Sequence, residues 1–196
     1  MTTSHRHQAR NRGRLRIIGG RWKRHTLNFT GGPDLRPTPD AVRETLFNWL
    51  TPAVSQARCL DLFAGSGALG FEAASRGAAQ VVMVDNNRYC CRQLEENRSR
   101  FGAEQVRIYC DDALRWLKNC SDTFDIIFLD PPYQSQLTAA SCHLVNVGGV
   151  APRGLVYVET GTEKPVSVPD PWQEIHRQKA GEVCYRLYRT DPSSSD

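Results

Sequence analysis

Residues 59–70 read Cys-Leu-Asp-Leu-Phe-Ala-Gly-Ser-Gly-Ala-Leu-Gly, and this stretch decides the fold. The apolar run that ends at Phe63 predicts a buried strand, and the residues from Gly67 onward predict a helix. The glycines at positions 65, 67 and 70 match the pattern G-x-G-x-x-G. Glycines in that pattern permit a tight turn and let the backbone approach a ligand closely. The stretch therefore predicts a strand, a ligand-binding turn and a helix in succession.

From Ala57 onward strand and helix patterns alternate, which is typical of a mainly parallel sheet covered by helices on both faces. Two further apolar runs near the carboxyl terminus predict an antiparallel finish. We therefore expect an α/β, Rossmann-like fold with a seven-stranded sheet and a C-terminal hairpin. The predicted strands are 58–63, 80–85, 105–110, 124–129, 153–159, 172–177 and 183–188, and the predicted helices are 67–76, 87–101, 112–119 and 135–146.

The segment before this domain is predicted to be a small extension. Leu15–Ile18 and Trp22–Phe29 are β-prone runs joined by Gly19-Gly20, which indicates a hairpin. A helix is expected to start at Asp40 as its N-cap and to end at Thr51-Pro52. Residues 1–13 are expected to be a disordered basic arm, 14–52 the extension, 53–190 the main domain, and 191–196 a frayed tail.

Acidic residues stand at the ends of the predicted strands, where the fold would gather them. Asp85 ends the strand after the glycine turn, where a carboxylate can accept hydrogen bonds from both hydroxyls of a ribose. Asp61 lies just before the turn, where it would face the diphosphate of a dinucleotide, so an acid is less expected there in a dinucleotide site. The same acid suits a ligand with an amino group and a positive charge. S-adenosylmethionine is such a ligand. Asp112 and Ala113 could bind an adenine ring, although an ordinary helix N-cap explains Asp112 nearly as well.

A second motif, Asp130-Pro131-Pro132-Tyr133, directly follows the apolar strand 124–129. Two prolines cannot continue a sheet ladder, so the chain must turn there. An acceptor carboxylate, the carbonyl of Pro131 and the aromatic face of Tyr133 then meet at the end of a strand. That set suits a flat ring that carries an amino group.

Composition limits the remaining possibilities. The chain has 196 residues, a formal net charge of +4 and seven cysteines. The cysteines include no C-x-x-C pair, so we expect reduced thiols and no metal site. No apolar run reaches membrane-spanning length and the basic N-terminus does not resemble a secretory signal, so a cytoplasmic protein without a membrane partner is expected. No acidic residue precedes Asp34, and this basic stretch indicates a nucleic-acid partner.

Taken together, Asp61-Leu-Phe-Ala-Gly-Ser-Gly and Asp130-Pro-Pro-Tyr resemble the class I S-adenosylmethionine-dependent methyltransferases that modify exocyclic amino groups. Arg36-Pro37-Thr38, the segment from Val42 to Leu50 and Ile17-Ile-Gly-Gly-Arg-Trp22 are similar to the ribosomal RNA small-subunit methyltransferase D family. The similarity extends from about Leu15 to Tyr188.

The resemblance implies a fold, a reaction and a set of residues. The family transfers a methyl group from S-adenosylmethionine, leaving S-adenosylhomocysteine, to the N2 amino group of guanine 966 in 16S rRNA of the 30S subunit or a late assembly intermediate. We expect a monomer. The implied cofactor residues are Asp61, Ala64, Gly65, Ser66, Gly67, Asp85, Asn86, Asp112 and Ala113; the catalytic ones are Asp130, Pro131 and Tyr133; the RNA-binding ones are Arg14, Arg16, Arg21, Lys23, Arg24, Arg36 and Arg43.

Alternatives remain at the level of sequence. A DNA adenine-N6 methyltransferase also carries Asp-Pro-Pro-Tyr, although few residues follow Tyr133 to form a target-recognition domain. A nicotinamide-dependent oxidoreductase shares the glycine pattern but leaves Asp130-Pro-Pro-Tyr unexplained. A ribosome-assembly factor with a vestigial pocket is a third possibility. For Arg43, an ion pair on the helix surface with Asp40 or Glu44 is as plausible as an RNA contact.

Overall fold

The computed structural model describes residues 11–31, 38–132, 137–161 and 166–190. Nine strands and five α-helices are found in these ranges. The strands are β1 Asn11–Arg16, β2 Thr26–Gly31, β3 Arg58–Asp61, β4 Gln80–Asp85, β5 Val106–Cys110, β6 Phe124–Leu129, β7 Val150–Gly161, β8 Trp172–Ala180 and β9 Val183–Thr190. The helices are α1 Asp40–Val54, α2 Ala68–Ser75, α3 Arg88–Phe101, α4 Ala113–Asn119 and α5 Leu137–Leu144, and a π-helical turn at Val145–Gly149 follows α5.

The main sheet has seven strands in the order β5-β4-β3-β6-β7-β9-β8. The first five are parallel, and β9 runs antiparallel to both β7 and β8. The expected α/β fold with an antiparallel finish is therefore confirmed. The order reverses beside β3, and an open parallel sheet binds ligands at the carboxyl ends of the strands next to such a reversal.

Helices cover both faces of the sheet, and each face buries its own apolar core. Strands that are buried on both faces must be apolar along most of their length. One core packs α1, α2 and α3 against residues such as Cys59, Met83 and Phe128. The other packs α4 and α5 against residues such as Leu60 and Val156. Among the described residues, no helix has both the length and the apolar character needed to cross a bilayer.

The N-terminal hairpin differs from its prediction. Its strands are β1 and β2, and β1 begins at Asn11, inside the stretch predicted to be a disordered arm. Ile17 and Trp22, which were predicted to lie in strands, belong instead to the connection between β1 and β2. Both side chains are buried in the core shared with α2 and α3, and Trp22 stacks on Phe101 with ring centroids 5.3 Å apart. Burial against these helices therefore outweighs the local β propensity.

Hydrogen bonds fix this connection to helix α2. The backbone N–H groups of Ile18 and Gly19 each donate to the Glu72 carboxylate at 2.8 Å, and the Trp22 N–H donates to Ser75 Oγ at 2.9 Å. A Cβ atom added at Gly20, where φ is +74°, would lie 1.9 Å from the carbonyl oxygen of Ser75. Only glycine allows this approach of one backbone to another. The hairpin is thus bound to the helix that follows the glycine turn.

Helix α1 is longer than predicted. It starts at Asp40, but Pro39 is the N-cap residue and no side chain caps it. It also continues through Pro52 to Val54. The proline removes only the N–H that would reach the carbonyl of Asn48, and Asn48 lies on the exposed side of the helix, where water can replace that bond. Burial of Leu50 and Val54 favours the last turn.

Candidate active site

Four acidic side chains lie at the carboxyl end of the parallel sheet. Asp61 and Asp85 are the last residues of β3 and β4, and Asp130 follows the last residue of β6. Glu159 lies in β7 beside Asp130, because Leu129 pairs with Val158 in parallel register. The fold therefore gathers carboxylates from four neighbouring strands along one edge.

The glycine turn lies between β3 and α2 and contacts the next strand. The Gly65 N–H donates to Asp85 Oδ2 at 2.7 Å, and the Ala64 N–H donates to the carbonyl of Val84 at 2.9 Å. Gly67 has φ +78°, and a Cβ there would lie 2.5 Å from Leu94 Cδ2. The turn is thus held by main-chain bonds and needs glycine at position 67 for both conformation and space.

Asp61 is buried beneath this turn. Asp61 is 2% exposed, and its carboxylate accepts a hydrogen bond from the Gly70 N–H at 2.9 Å. Burial, partly offset by that bond and reinforced by the nearby charge of Asp85, raises the pKa of Asp61 to about 7. A ligand with a positive charge would reverse this effect, since it would stabilise the ionised carboxylate.

Asp85 and its neighbours occupy the next strand end. Asp85 accepts from the N–H groups of Gly65 and Asn87, at 2.7 and 2.8 Å, and burial nevertheless raises its pKa. Asn86 is exposed beside it. Asp112 is the N-cap of α4 and accepts from the Arg115 N–H at 2.9 Å. One carboxylate oxygen of Asp112 therefore makes the ordinary helix-cap contact, while Ala113 is buried behind it.

Asp130 directly follows β6 and contacts the segment before α1. Its carboxylate accepts a hydrogen bond from the Thr38 side chain, which is itself buried. Burial and the charges of Glu159 and Asp61 nevertheless raise the pKa of Asp130 well above its usual range. Pro131 is buried and Pro132 is exposed, while the predicted aromatic residue Tyr133 lies outside the described residues.

Two residues of this site were not predicted from the sequence. Glu159 is 3% exposed and accepts a hydrogen bond from the Tyr157 hydroxyl at 2.8 Å. Thr38 belongs to the motif Arg36-Pro37-Thr38, but the sequence alone predicts no contact between it and Asp130. An acid at the end of the apolar run Val156-Tyr157-Val158 repeats the pattern of Asp61, Asp85 and Asp130, so the sequence held a signal for Glu159.

The predicted RNA-binding residues fall into three groups. Most are exposed on β1 and on the connection between β1 and β2: Arg14, Arg16, Arg21, Lys23 and Arg24. Arg36 lies outside the described residues. Arg43 is fully buried, donates to Asp40 Oδ1 at 2.7 Å and to the carbonyl of Arg16 at 2.9 Å, and lies 3.5 Å from Glu72 Oε2. The prediction that Arg43 contacts RNA is wrong, because its guanidinium is enclosed by α1, α2 and β1.

The strand order and the edge of carboxylates beside the glycine turn define a class I methyltransferase fold. Within the described ranges, no group of three or more His, Cys, Asp and Glu side chains is arranged to hold a metal ion.

Comparison with known proteins agrees with this class. A family model described as "Conserved hypothetical protein 95" matches residues 15–189, and the chain belongs to that family. The chain is 42% identical over 182 residues to Ribosomal RNA small subunit methyltransferase D of Escherichia coli strain K12, covering 91% of each protein. The protein of the same name from Haemophilus influenzae is 39% identical over 183 residues, covering 91% of this chain and 95% of that protein.

Solved structures of methyltransferases also resemble this chain. The Escherichia coli protein yhhF has a TM-score of 0.83 at 40% identity, covering 91% of this chain and 99% of its own. The Thermus thermophilus 16S rRNA N2 G1207 methyltransferase, solved with AdoMet and guanosine, has a TM-score of 0.65 at 20% identity, covering 92% of this chain and 50% of that one. At that identity the likeness concerns the fold alone. The resemblance stated from the sequence is confirmed.

Proposed function

We propose that this protein transfers a methyl group from S-adenosylmethionine to the N2 amino group of a guanine in 16S rRNA, with guanine 966 as the target. The observation that carries the proposal is a pair of carboxylates with raised pKa, the buried Asp61 and the half-buried Asp130, at the ends of the neighbouring strands β3 and β6. One suits a cationic methyl donor and the other suits an amino acceptor. The names of the relatives, which refer to ribosomal RNA of the small subunit, favour this substrate over DNA.

The residues beside the glycine turn fit S-adenosylmethionine. The buried, destabilised carboxylate of Asp61 needs a cationic partner, and the amino group and sulfonium of the cofactor supply positive charge. The turn from Ala64 to Gly67 would lie against the cofactor, Asp85 with Asn86 would bind its ribose, and Asp112 with the Ala113 N–H would bind its adenine. When bound, the cofactor supplies an electrophilic methyl group, whose bond to sulfur breaks with the electron pair passing to sulfur.

Asp130 and its neighbours would hold the target amino group. The guanine N2 lone pair is delocalised into the ring, so catalysis consists mainly of positioning and electrostatic stabilisation. The Asp130 carboxylate and the Pro131 carbonyl would accept the two amino hydrogens, and Tyr133 would stack on the extruded base. The carboxylate would also stabilise the positive charge that develops on the nitrogen. Once it is methylated, the nitrogen would pass one proton to Asp130 or to water.

The exposed basic residues of the N-terminal hairpin are the proposed RNA surface. Arg14 and Arg16 alternate with the buried Leu15 along β1, so both side chains point outward. With Thr26 and Asp40 these residues line a cavity of about 350 Å³. Lysine and arginine contacts to phosphates supply affinity without sequence information. The hairpin would therefore orient the RNA, and the substrate would be met in the cytoplasm, where ribosomal subunits assemble.

A methylation assay with alternative substrates tests this function. Labelled S-adenosylmethionine is offered with 30S subunits lacking the modification, with naked 16S rRNA and with duplex DNA, and the product is digested for nucleoside analysis. We expect N2-methylguanosine from a ribosomal substrate and no label in DNA. Methyladenine in DNA, or no transfer to any ribosomal substrate, would contradict the proposal.

A further inference from the structure

The N-terminal hairpin of β1 and β2 forms a small sheet of its own, separate from the seven-stranded sheet. A two-stranded hairpin is marginally stable alone, so its placement depends on what it packs against. Leu15 and Leu27 anchor it in the apolar core that includes α2 and α3. Apolar burial is not directional, so these side chains hold the hairpin against the helices without fixing its orientation.

Helix α3 supplies a directional contact through the side-chain amide of Asn97. Its Nδ2 donates to the carbonyl of Asn28 at 2.8 Å, and its Oδ1 accepts from the Asn28 N–H at 3.3 Å. In an antiparallel pair, the N–H and C=O groups of alternate residues point away from the partner strand. Both groups of Asn28 therefore lie on the outer edge of β2, and the amide of Asn97 takes the place of a peptide group in a third strand.

The amide of Asn97 is buried and its own orientation is fixed. The residue is 3% exposed, on the core-facing side of α3, where an apolar side chain is usual. Its Oδ1 also accepts from Arg100 Nη2 at 2.9 Å, and Arg100 donates as well to the carbonyl of Thr26. A guanidinium can only donate, so it must face the oxygen of the amide. Burying an amide is costly unless it is hydrogen-bonded, and these bonds meet that requirement.

The two backbone positions that α3 holds lie opposite the arginines of the proposed RNA surface. Asn28 is in register with Arg14. Thr26 is in register with Arg16, and the carbonyl of Arg16 accepts from Arg43 of α1 at 2.9 Å on the other edge of the hairpin. Because residues in register project from the same face of a sheet, the hold on β2 determines where the two arginine side chains lie.

We propose that Asn97 is a positioning residue for RNA binding, whose bonds to Asn28 orient the hairpin so that Arg14 and Arg16 meet the RNA while the target base enters the active site. This inference rests on the function proposed above. The N-cap residue of α3 is Asn87, whose N–H donates to Asp85 at 2.8 Å. One helix therefore connects the hairpin to the proposed ribose site and sets the distance between them.

A double-mutant cycle on equilibrium binding tests the inference. The Kd for 30S subunits lacking the modification is measured with S-adenosylhomocysteine present, for wild type, Asn97→Ala, the pair Arg14→Ala with Arg16→Ala, and all three changes together. We expect Asn97→Ala to weaken binding roughly tenfold, and to add nothing once both arginines are absent. The KM for 30S subunits should rise in proportion, while kcat and the Kd for S-adenosylmethionine stay within about twofold.

Hydrogen exchange in the free protein checks the contact itself. The Asn28 N–H should exchange at least about tenfold faster in Asn97→Ala, because the bond that protects it is lost. Should Asn97→Ala fail to fold, Asn97→Asp enters the same cycle. It keeps an acceptor for Arg100 and for the Asn28 N–H and loses the bond to the Asn28 carbonyl, so it too should weaken binding only while the arginines are present.

The stability control is Val145→Ala, which removes buried methyl groups from the apolar core on the other face of the sheet. It should lower the free energy of unfolding and leave the Kd for 30S subunits unchanged. An equal loss of RNA affinity in Val145→Ala would overturn the inference, because the effect would then follow global stability.

Two further outcomes would also overturn it. One is wild-type RNA affinity in the folded Asn97 variant, and the other is losses that add in the combined variant, since Asn97 would then act independently of the arginines. Failure of the proposed function is separable. Wild type that binds ribosomal RNA without turnover refutes the function alone, and wild type that binds no ribosomal RNA refutes both.

Discussion

The substitution Asp61→Asn measures the cost of the buried carboxylate under the glycine turn. In the folded protein the pKa of Asp61 is raised from 3.8 to about 7, chiefly by burial. At about 1.4 kcal/mol per pH unit, this rise corresponds to roughly 4 kcal/mol. Folding therefore holds the proton of Asp61 more tightly than the unfolded chain does.

The sign of the pH dependence follows from this difference. The contribution of the protonated Asp61 is fully present below about pH 4 and is lost as the pH rises through about 7. Asparagine does not titrate and can still accept the bond from the Gly70 N–H. The free energy of unfolding of Asp61→Asn minus that of wild type should thus grow by roughly 3 kcal/mol between about pH 4.5 and pH 8.

Urea unfolding without cofactor, followed by tryptophan fluorescence at several pH values, gives this difference directly. Asp122→Asn is the matched control, because it removes an exposed carboxylate, with 51% of its side chain accessible, and leaves the buried one in place. The charge of Asp61 also raises the pKa of Asp130, so Asp61→Asn changes the contribution of Asp130 to the pH dependence as well. A difference for Asp61→Asn that is the same at every pH would refute the reasoning.

Three further predictions concern separate parts of the molecule. Asp130→Ala should reduce turnover by at least about a hundredfold while the Kd for S-adenosylmethionine, measured by calorimetry, stays within about twofold; near-normal turnover would remove Asp130 from the mechanism. Arg14→Glu with Arg16→Glu should weaken RNA binding at moderate salt and flatten its salt dependence, with Arg92→Glu on the exposed side of α3 as the control; unchanged RNA affinity would contradict the proposed surface. Gly20→Ala should lower the free energy of unfolding in urea by about 2 kcal/mol or more, since its Cβ would meet the Ser75 carbonyl; a neutral effect would show that the connection is not tightly bound to α2.

The centre of the sheet could be predicted closely from the sequence because β4 and β6 are largely apolar runs. The predicted strands 80–85 and 124–129 match β4 and β6, and 105–110 differs from β5 by one residue. Acids that follow such runs must meet at one edge of a parallel sheet. The clustering of Asp61, Asp85 and Asp130 was predictable for that reason.

Long-range contacts explain what the sequence analysis missed. The segment from Ile17 to Trp22 was predicted to be strand and turn, but Glu72 and Ser75, more than fifty residues away, bind it. Arg43 was predicted to face RNA, yet it lies within the same junction. Neither contact leaves a local pattern in the sequence.

The partners of Asp130 were also hidden by distance along the chain. Thr38 reaches it from before α1, and Glu159 reaches it from β7. Only the strand order places β7 next to β6. The position of Glu159 after an apolar run is visible in the sequence, but its proximity to Asp130 is not.

A crystal structure with S-adenosylhomocysteine bound tests the central claim most directly. The account predicts that the amino group of the ligand lies against Asp61, its ribose lies against Asp85, and its sulfur faces the carboxylate of Asp130. A ligand bound elsewhere, or an Asp130 side chain turned away from the sulfur, would contradict it.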